Sequence, residues 1–188
     1  IHTFGKLAVN DTDFERTTSR TDVQAYKGGA IFLQNAELSL QQTRITNCSA
    51  TYNAGAVYLE AGSKLTATGC TFTGNSVTES VENDHAGGAV FSTTNAANSM
   101  IFSGCDFINN DGSAFGGAIA CYSPNLIVKD GCNFIGNKTS SRKSGVAYGG
   151  ALYLSQKATN GLITSSTFTD NYALNSYGSA YGGAIQVH

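Results

Sequence analysis

Five times along the chain Gly-Gly-Ala is followed by a branched aliphatic residue, at 28–31, 87–90, 116–119, 149–152 and 182–185, and a near copy stands at 54–57. Successive second glycines, Gly29, Gly55, Gly88, Gly117, Gly150 and Gly183, are 26, 33, 29, 33 and 33 residues apart. Self-similarity at a period of roughly 20–50 residues marks a solenoid, a propeller or an array, because one such unit cannot bury its apolar face alone. A second marker keeps time with the first. Phe-x-x-Asn occurs as Phe72/Asn75, Phe107/Asn110, Phe134/Asn137 and Phe168/Asn171, with degenerate copies at Phe14/Thr17 and Ile45/Cys48. Every copy after the first falls 16 to 19 residues beyond the preceding second glycine. Two linked markers in fixed order establish a repeat.

Within one repeat the apolar residues alternate. Two positions past the second glycine stand Ile31, Val57, Val90, Ile119, Leu152 and Ile185; one further on stand Phe32, Tyr58, Phe91, Ala120, Tyr153 and Gln186. Period two places the aliphatic set on one face of a strand and the mostly aromatic set on the other. A second short run precedes each Phe (38–40, 65–67, 100–102, 126–128, 162–163) and a third leads into it. No stripe at helical spacing reaches the ~10 residues a helix needs. Three short strands per repeat and no helix predict an all-β chain, a right-handed parallel β-helix of about six coils. Coils stacked at the ~4.8 Å inter-strand spacing bring like residues over like, giving an aliphatic, a Phe and an Asn ladder. A propeller blade of ~40 residues is too long for these steps, and the Leu/Asn consensus of leucine-rich repeats is absent.

From each marker Phe, or Ile45 in its place, to the next second glycine the chain spends 10, 16, 10, 16 and 15 residues. The longer polar passages, Ser76–His85 and Lys138–Tyr148, read as loops bulging from one corner of the coil. The chain stops at His188 inside the sixth Gly-Gly-Ala strand, so residues 1–188 are expected to be one β-helix segment of a longer protein.

Composition narrows the function. A net charge of −2 with no basic stripe argues against nucleic acid, and no apolar run approaches the ~18 residues of a membrane span. The acids do not align between coils. Asp106 stands where other repeats have Thr71, Asn133 and Thr167, Asp170 aligns with Asn109 and Gly136, and Glu37, Glu60 and Asp130 are scattered. Asp84 and His85 share a loop, and His2 and His188 are terminal. No catalytic residue, cofactor or metal is expected. A Thr lattice of the ice-binding kind is broken at Asp106, Ile108, Asn133 and Ile135.

The five cysteines carry no C-x-x-C. Cys70, Cys105 and Cys132 each stand two before a marker Phe and form a column in which one pair at most can be bridged. Cys121 replaces a core aliphatic, and Cys48 replaces a ladder Asn. The primary expectation is small buried hydrophobes. Sequons at Asn10, Asn47 and Asn137 are candidate glycan acceptors, Asn137 only if its amide points outward. The column Phe32, Tyr58, Phe91 and Tyr153 is either a row of exposed aromatics able to bind sugar rings or protein, or a buried stabilising row.

The alternating Gly-Gly-Ala-Ile and Phe-x-x-Asn markers resemble the repeats of chlamydial polymorphic outer membrane proteins along essentially the whole chain. That resemblance implies a secreted, elongated surface β-helix of adhesin type. The expected function is therefore non-enzymatic: an extracellular adhesin-like module whose partner is a protein or glycan at a cell surface. The alternatives are a subunit of an extracellular fibre in which copies stack end to end, and, less favoured, a carbohydrate-active enzyme.

Overall fold

The computed structural model describes residues 1–19, 27–78, 87–94, 97–141 and 145–188. The described residues form strands joined by turns, without a helix, and every strand pair is parallel. The chain winds as a solenoid of about five turns. Its largest sheet carries two sets of strands. One set, Val57–Leu59, Val90–Ser92, Ile119–Cys121, Leu152–Leu154 and Ile185–Val187, follows the glycine pairs. The other, Lys64–Thr68, Ser99–Ser103, Asn125–Lys129 and Asn160–Ile163, comes next in each coil. The 11-residue strand Ile31–Gln41 belongs to both, pairing through Ile31–Leu33 and again through Glu37–Gln41. A six-stranded sheet, Asp13–Glu15, Arg44–Thr46, Thr71–Thr73, Asp106–Ile108, Asn133–Ile135 and Thr167–Thr169, carries the marker Phe at its centre.

Registers are those the repeat dictates. Ile31, Val57, Val90, Ile119, Leu152 and Ile185 are successive partners. Phe72, Phe107, Phe134 and Phe168 stack with centroids 4.8, 4.7 and 4.7 Å apart and rings within 5° of parallel. That spacing equals the inter-strand distance, so sheet hydrogen bonding and ring contact are satisfied together. Both ladders lie in one continuous core.

The glycine pair divides its labour. In the third complete copy Gly116 sits at φ 60, in the left-handed region, and turns the chain. Gly117 has no such φ; a Cβ there would run into the Gly150 carbonyl oxygen and the Lys138 backbone of the next coil. The first glycine is needed for its conformation and for clearance of the Ile119 carbonyl three residues on, the second for clearance of the next coil.

The passage Lys138–Tyr148 is corrected. It was expected to be a bulging loop, but Lys138–Ser141 pairs with Tyr172–Asn175 and Val146–Tyr148 pairs with Ser179–Tyr181. The passages after Phe134 and Phe168 have nearly equal length, so the extra residues of one coil stack on those of the next. In the passage Ser76–His85, Ser76–Val77 is a strand; the Asp84/His85 pair lies outside the described residues.

Candidate functional surface

The residues that repeat are turned inward and hold one another. Asn75, Asn110 and Asn137 are fully buried. The Oδ1 of Asn110 accepts the backbone N–H of Asn75 (3.0 Å) and its Nδ2–H (3.0 Å), and its Nδ2 donates to the Phe72 carbonyl (2.9 Å) and Asn137 Oδ1 (2.8 Å). All four valences of the amide are thus used. Asn137 repeats the pattern with Asn110, Phe107 and Asn171. At the degenerate copy Cys48 keeps the backbone part, donating its N–H to Asn75 Oδ1 at 3.0 Å, while Thr17 Oγ1 lies 3.0 Å from Cys48 Sγ. Asn137 is therefore no glycan acceptor: its amide nitrogen is spent on Phe107 and Asn171 in a site without solvent. Asn10 and Asn47 are exposed, and Thr12 Oγ1 donates to the Asn10 carbonyl at 2.8 Å.

The aromatic column is likewise enclosed. Tyr58 and Phe91 are 2% exposed and Tyr153 is 5% exposed, with Phe32 half-buried. Of the two readings open for these four residues, an exposed interaction surface and a covered stabilising row, their burial matches the second. The strands after the glycine pairs are buried on both faces, and a second apolar cluster covers the outer one. Tyr122 and Phe115 occupy the gap that Ala120 leaves in the column. Ring centroids run 5.2 Å from Phe32 to Tyr58, 5.3 Å to Phe91, 5.5 Å to Tyr122 and 5.3 Å to Tyr153, and Phe115 meets Tyr153 at 4.9 Å. Burial and then the neighbouring Glu60 push the Tyr58 hydroxyl well above its ordinary pKa. Lys27 caps this ring at 4.8 Å and lies 3.7 Å from Glu60.

The cysteine column is part of a longer one that sequence reading overlooked. Two residues before each marker stand Thr12, Thr43, Cys70, Cys105, Cys132 and Ser166. Each side chain bonds a carbonyl just behind it: Thr12 to Asn10 (2.8 Å), Thr43 to Gln41 (3.0 Å), Cys70 to Thr68 (3.4 Å), Cys105 to Ser103 (3.5 Å), Cys132 to Lys129 (3.2 Å) and Ser166 to Thr164 (2.9 Å). The corner needs a small donor there, and thiols serve as hydroxyls do. All five cysteines are buried and unbridged.

What faces outward repeats less: Thr46 recurs as Thr73 and Ile108 as Ile135, but other outward files change from coil to coil. On the large sheet Glu37 lies between Lys6 (3.0 Å) and Lys64 (3.3 Å) from the coils on either side, and these side chains edge a shallow groove over Ala8, Ser39 and Thr66. The two ammonium groups, by hydrogen bonding and then by charge, hold the Glu37 carboxyl below its ordinary pKa. Further along, Asn160 Nδ2 donates to Asn125 Oδ1 at 3.1 Å. On the Phe sheet Arg44 pairs with Asp13 (2.6 Å), Asn133 Nδ2 donates to Asp106 Oδ1 (2.8 Å), and Thr167 Oγ1 donates to Asn133 Oδ1 (2.7 Å). Asp106, which sequence reading set aside as a lone acid, is thus the first member of an external hydrogen-bonded file. Asp130 is held below its usual pKa by the Ser103 hydroxyl and then by Lys129. Among the described residues no group of three or more His, Cys, Asp or Glu side chains is placed to hold a metal ion, and no helix is long and apolar enough to cross a membrane.

Comparison with known proteins agrees with the geometry. The model of a family described as a right handed beta helix region matches residues 8–188. No curated protein and no solved structure matches the chain.

Proposed function

Because the chain belongs to the right-handed β-helix family, we propose that it is a non-enzymatic, adhesin-like interaction module of an extracellular surface protein, whose partner is a protein or glycan laid along the outer face of the stacked sheets. β-Helices include enzymes as well as non-enzymes, so family membership alone does not decide. The observation that carries the reading is the division of labour between the two sides of the wall. Recurrent residues point inward and satisfy one another, while outward files such as Lys6–Glu37–Lys64 and Asp106–Asn133–Thr167 change residue from coil to coil and present polar groups. A rigid lattice with variable outward residues suits recognition of an extended partner. The likeness of the paired markers to the chlamydial surface proteins supports the same reading.

The test is binding of the purified chain to arrays of glycans and host-surface proteins. A saturable ligand is expected, weakened at least about tenfold by the double change Lys6→Glu with Lys64→Glu at an unchanged unfolding midpoint, as loss of charge complementarity implies. No ligand on any array, together with release of products from a polysaccharide, would overturn the proposal in favour of an enzyme. Filaments seen by negative stain without ligand binding would favour the fibre.

A further inference from the structure

The stacked thiols of Cys70, Cys105 and Cys132 are more than three fillers of one corner. Their following residues are in register, Thr71 with Asp106 and Asp106 with Asn133. Neighbouring α-carbons in such a file stand at about the strand spacing of ~4.8 Å, inside the ~4.4–6.8 Å window that a disulfide accepts. Sulfur contacts cross the coils: Cys132 Sγ lies 3.3 Å from the Cys105 backbone nitrogen, and Cys105 Sγ lies 3.4 Å from the Ala67 carbonyl of the preceding coil. Each thiol sits one residue beneath an exposed glycine: Gly69, Gly104 and Gly131. A Cβ built on Gly131 would meet nothing within 4 Å, so beside Cys132 a single layer of backbone separates the buried column from solvent.

We propose that Cys70, Cys105 and Cys132 form a thiol–disulfide relay, in which a two-electron oxidant closes one disulfide on Cys105 and the partner then alternates between Cys70 and Cys132. In the closing step two thiols lose two protons and two electrons to an azodicarboxamide oxidant such as diamide, which becomes the hydrazine, and one S–S bond forms. In the exchange step the free outer thiolate attacks Cys105 Sγ, the existing S–S bond breaks, and the opposite outer sulfur leaves as thiolate. Exchange of this kind is an in-line displacement. With the three on successive coils, Cys105 lies between the other two, so the outer sulfurs approach the shared one from opposite sides, as three cysteines in a triangle do not. The ionisation order fits the roles. Hydrogen bonding to Cys105 favours ionisation of Cys132 and Cys70, while Cys105, bonded to both and buried, is pushed up. The outer sulfurs are thus suited to attack and to leave. Cys48 lies at the Asn corner and Cys121 within the strand Ile119–Cys121, so neither takes part.

The test treats folded protein with diamide, blocks remaining thiols with iodoacetamide, and maps peptides by mass spectrometry. Wild type is expected to lose two hydrogens, hold one disulfide per chain, and yield both the 70–105 and the 105–132 linked peptides. Cys70→Ser retains only 105–132, Cys132→Ser retains only 70–105, and Cys105→Ser yields neither. A hydroxyl is native at this position in Thr43 and Ser166, so these variants keep the corner bond. Any of three outcomes overturns the proposal: all three thiols alkylated after oxidation, linkage to Cys48 or Cys121, or linkage appearing only in urea. A wild type holding a single pairing overturns the exchange.

Discussion

Asn110→Ala tests whether the amide ladder holds the coils together or only fills space between them. The change removes four hydrogen bonds at once, two accepted from Asn75 and two donated to Phe72 and Asn137. Asn75 is fully buried, so its backbone N–H and one amide hydrogen lose their acceptor with no solvent to replace it. An orphaned buried donor costs about 1–3 kcal/mol, which puts the loss at roughly 2–6 kcal/mol for the two. A water entering the space left by the amide would hold the value near the lower figure. The same change at Asn171 has a different expectation. Its Oδ1 accepts from the buried Asn137, but Asn171 is itself half-buried, so removing its amide opens the Asn137 donors to water and the cost falls to about 1 kcal/mol. Urea unfolding followed by circular dichroism measures both, with the slope of the transition checked for constancy so that midpoint shifts report stability. If Asn110→Ala costs no more than Asn171→Ala, the ladder is filler and the reasoning fails.

Gly117→Ala places a methyl group against the Gly150 carbonyl oxygen, whereas Gly131→Ala meets nothing and is strained only by its φ of 84; thermal unfolding should show the first far more damaging, with the second costing about 1–2 kcal/mol. Glu37, with its carboxyl lowered by Lys6 and Lys64, contributes stability that is present above its ordinary pKa of 4.5 and is lost as pH falls through the lower folded-state value. Carbon-detected NMR titration should find that midpoint below 4.5, and Glu37→Gln should remove the matching acid-side loss. Phe107→Ala removes a ring stacked 4.8 and 4.7 Å from its neighbours and should cost about 3–5 kcal/mol by calorimetry, the range for emptying a buried aromatic site.

The ladders were legible because a solenoid converts sequence period directly into stacking. Once Phe72 and Phe107 are known to recur and the strands to be parallel, their contact follows, and the same holds for Asn75 with Asn110. The burial of Tyr58 and Phe91 was not legible in the same way. Alternation says that their side chains leave the aliphatic core, but not what lies on the other side. Of the covering residues, Tyr122 follows no period, while Phe115 and Tyr148 do recur, each directly before its glycine pair as Tyr181 is, but only in the last three copies. A signal did exist: Ala120 interrupts an otherwise aromatic file just where Tyr122 follows, as a space and its filler do. The corner column shows a different limit. Thr12, Thr43 and Ser166 stand two residues before their markers as the cysteines do, but what unites the six is a shared hydrogen bond rather than a shared residue type, and a repeat of function without a repeat of identity leaves no period in the sequence. The strands inside Lys138–Tyr148 escaped because polarity was taken as a sign of loop, whereas a passage can pair whenever the next coil supplies one of like length.

The degenerate second repeat shows which rules of this fold bend. At the first-glycine position Ala54 adopts φ 57, the left-handed conformation that Gly28, Gly87, Gly116, Gly149 and Gly182 adopt freely. A non-glycine residue bears that conformation at roughly 1–2 kcal/mol. The chain tolerates it in a coil whose backbone bonds are intact, Gly29 N–H to the Ala54 carbonyl at 3.1 Å and Gly55 N–H to the Gly88 carbonyl at 2.9 Å. At the second-glycine position all six repeats keep glycine. A Cβ on Gly29, Gly55, Gly88, Gly117 or Gly150 would meet the backbone carbonyl oxygen of the next second glycine. Torsional strain is local and bounded, so one residue can absorb it. A steric clash between coils would push the stack apart along its axis and break hydrogen bonds in every sheet that crosses the gap. The outward files depend on that axial registry, since Lys6, Glu37 and Lys64 meet only while three coils keep their spacing. The invariant glycine is thus the inward residue on which the geometry of the outer surface most directly rests.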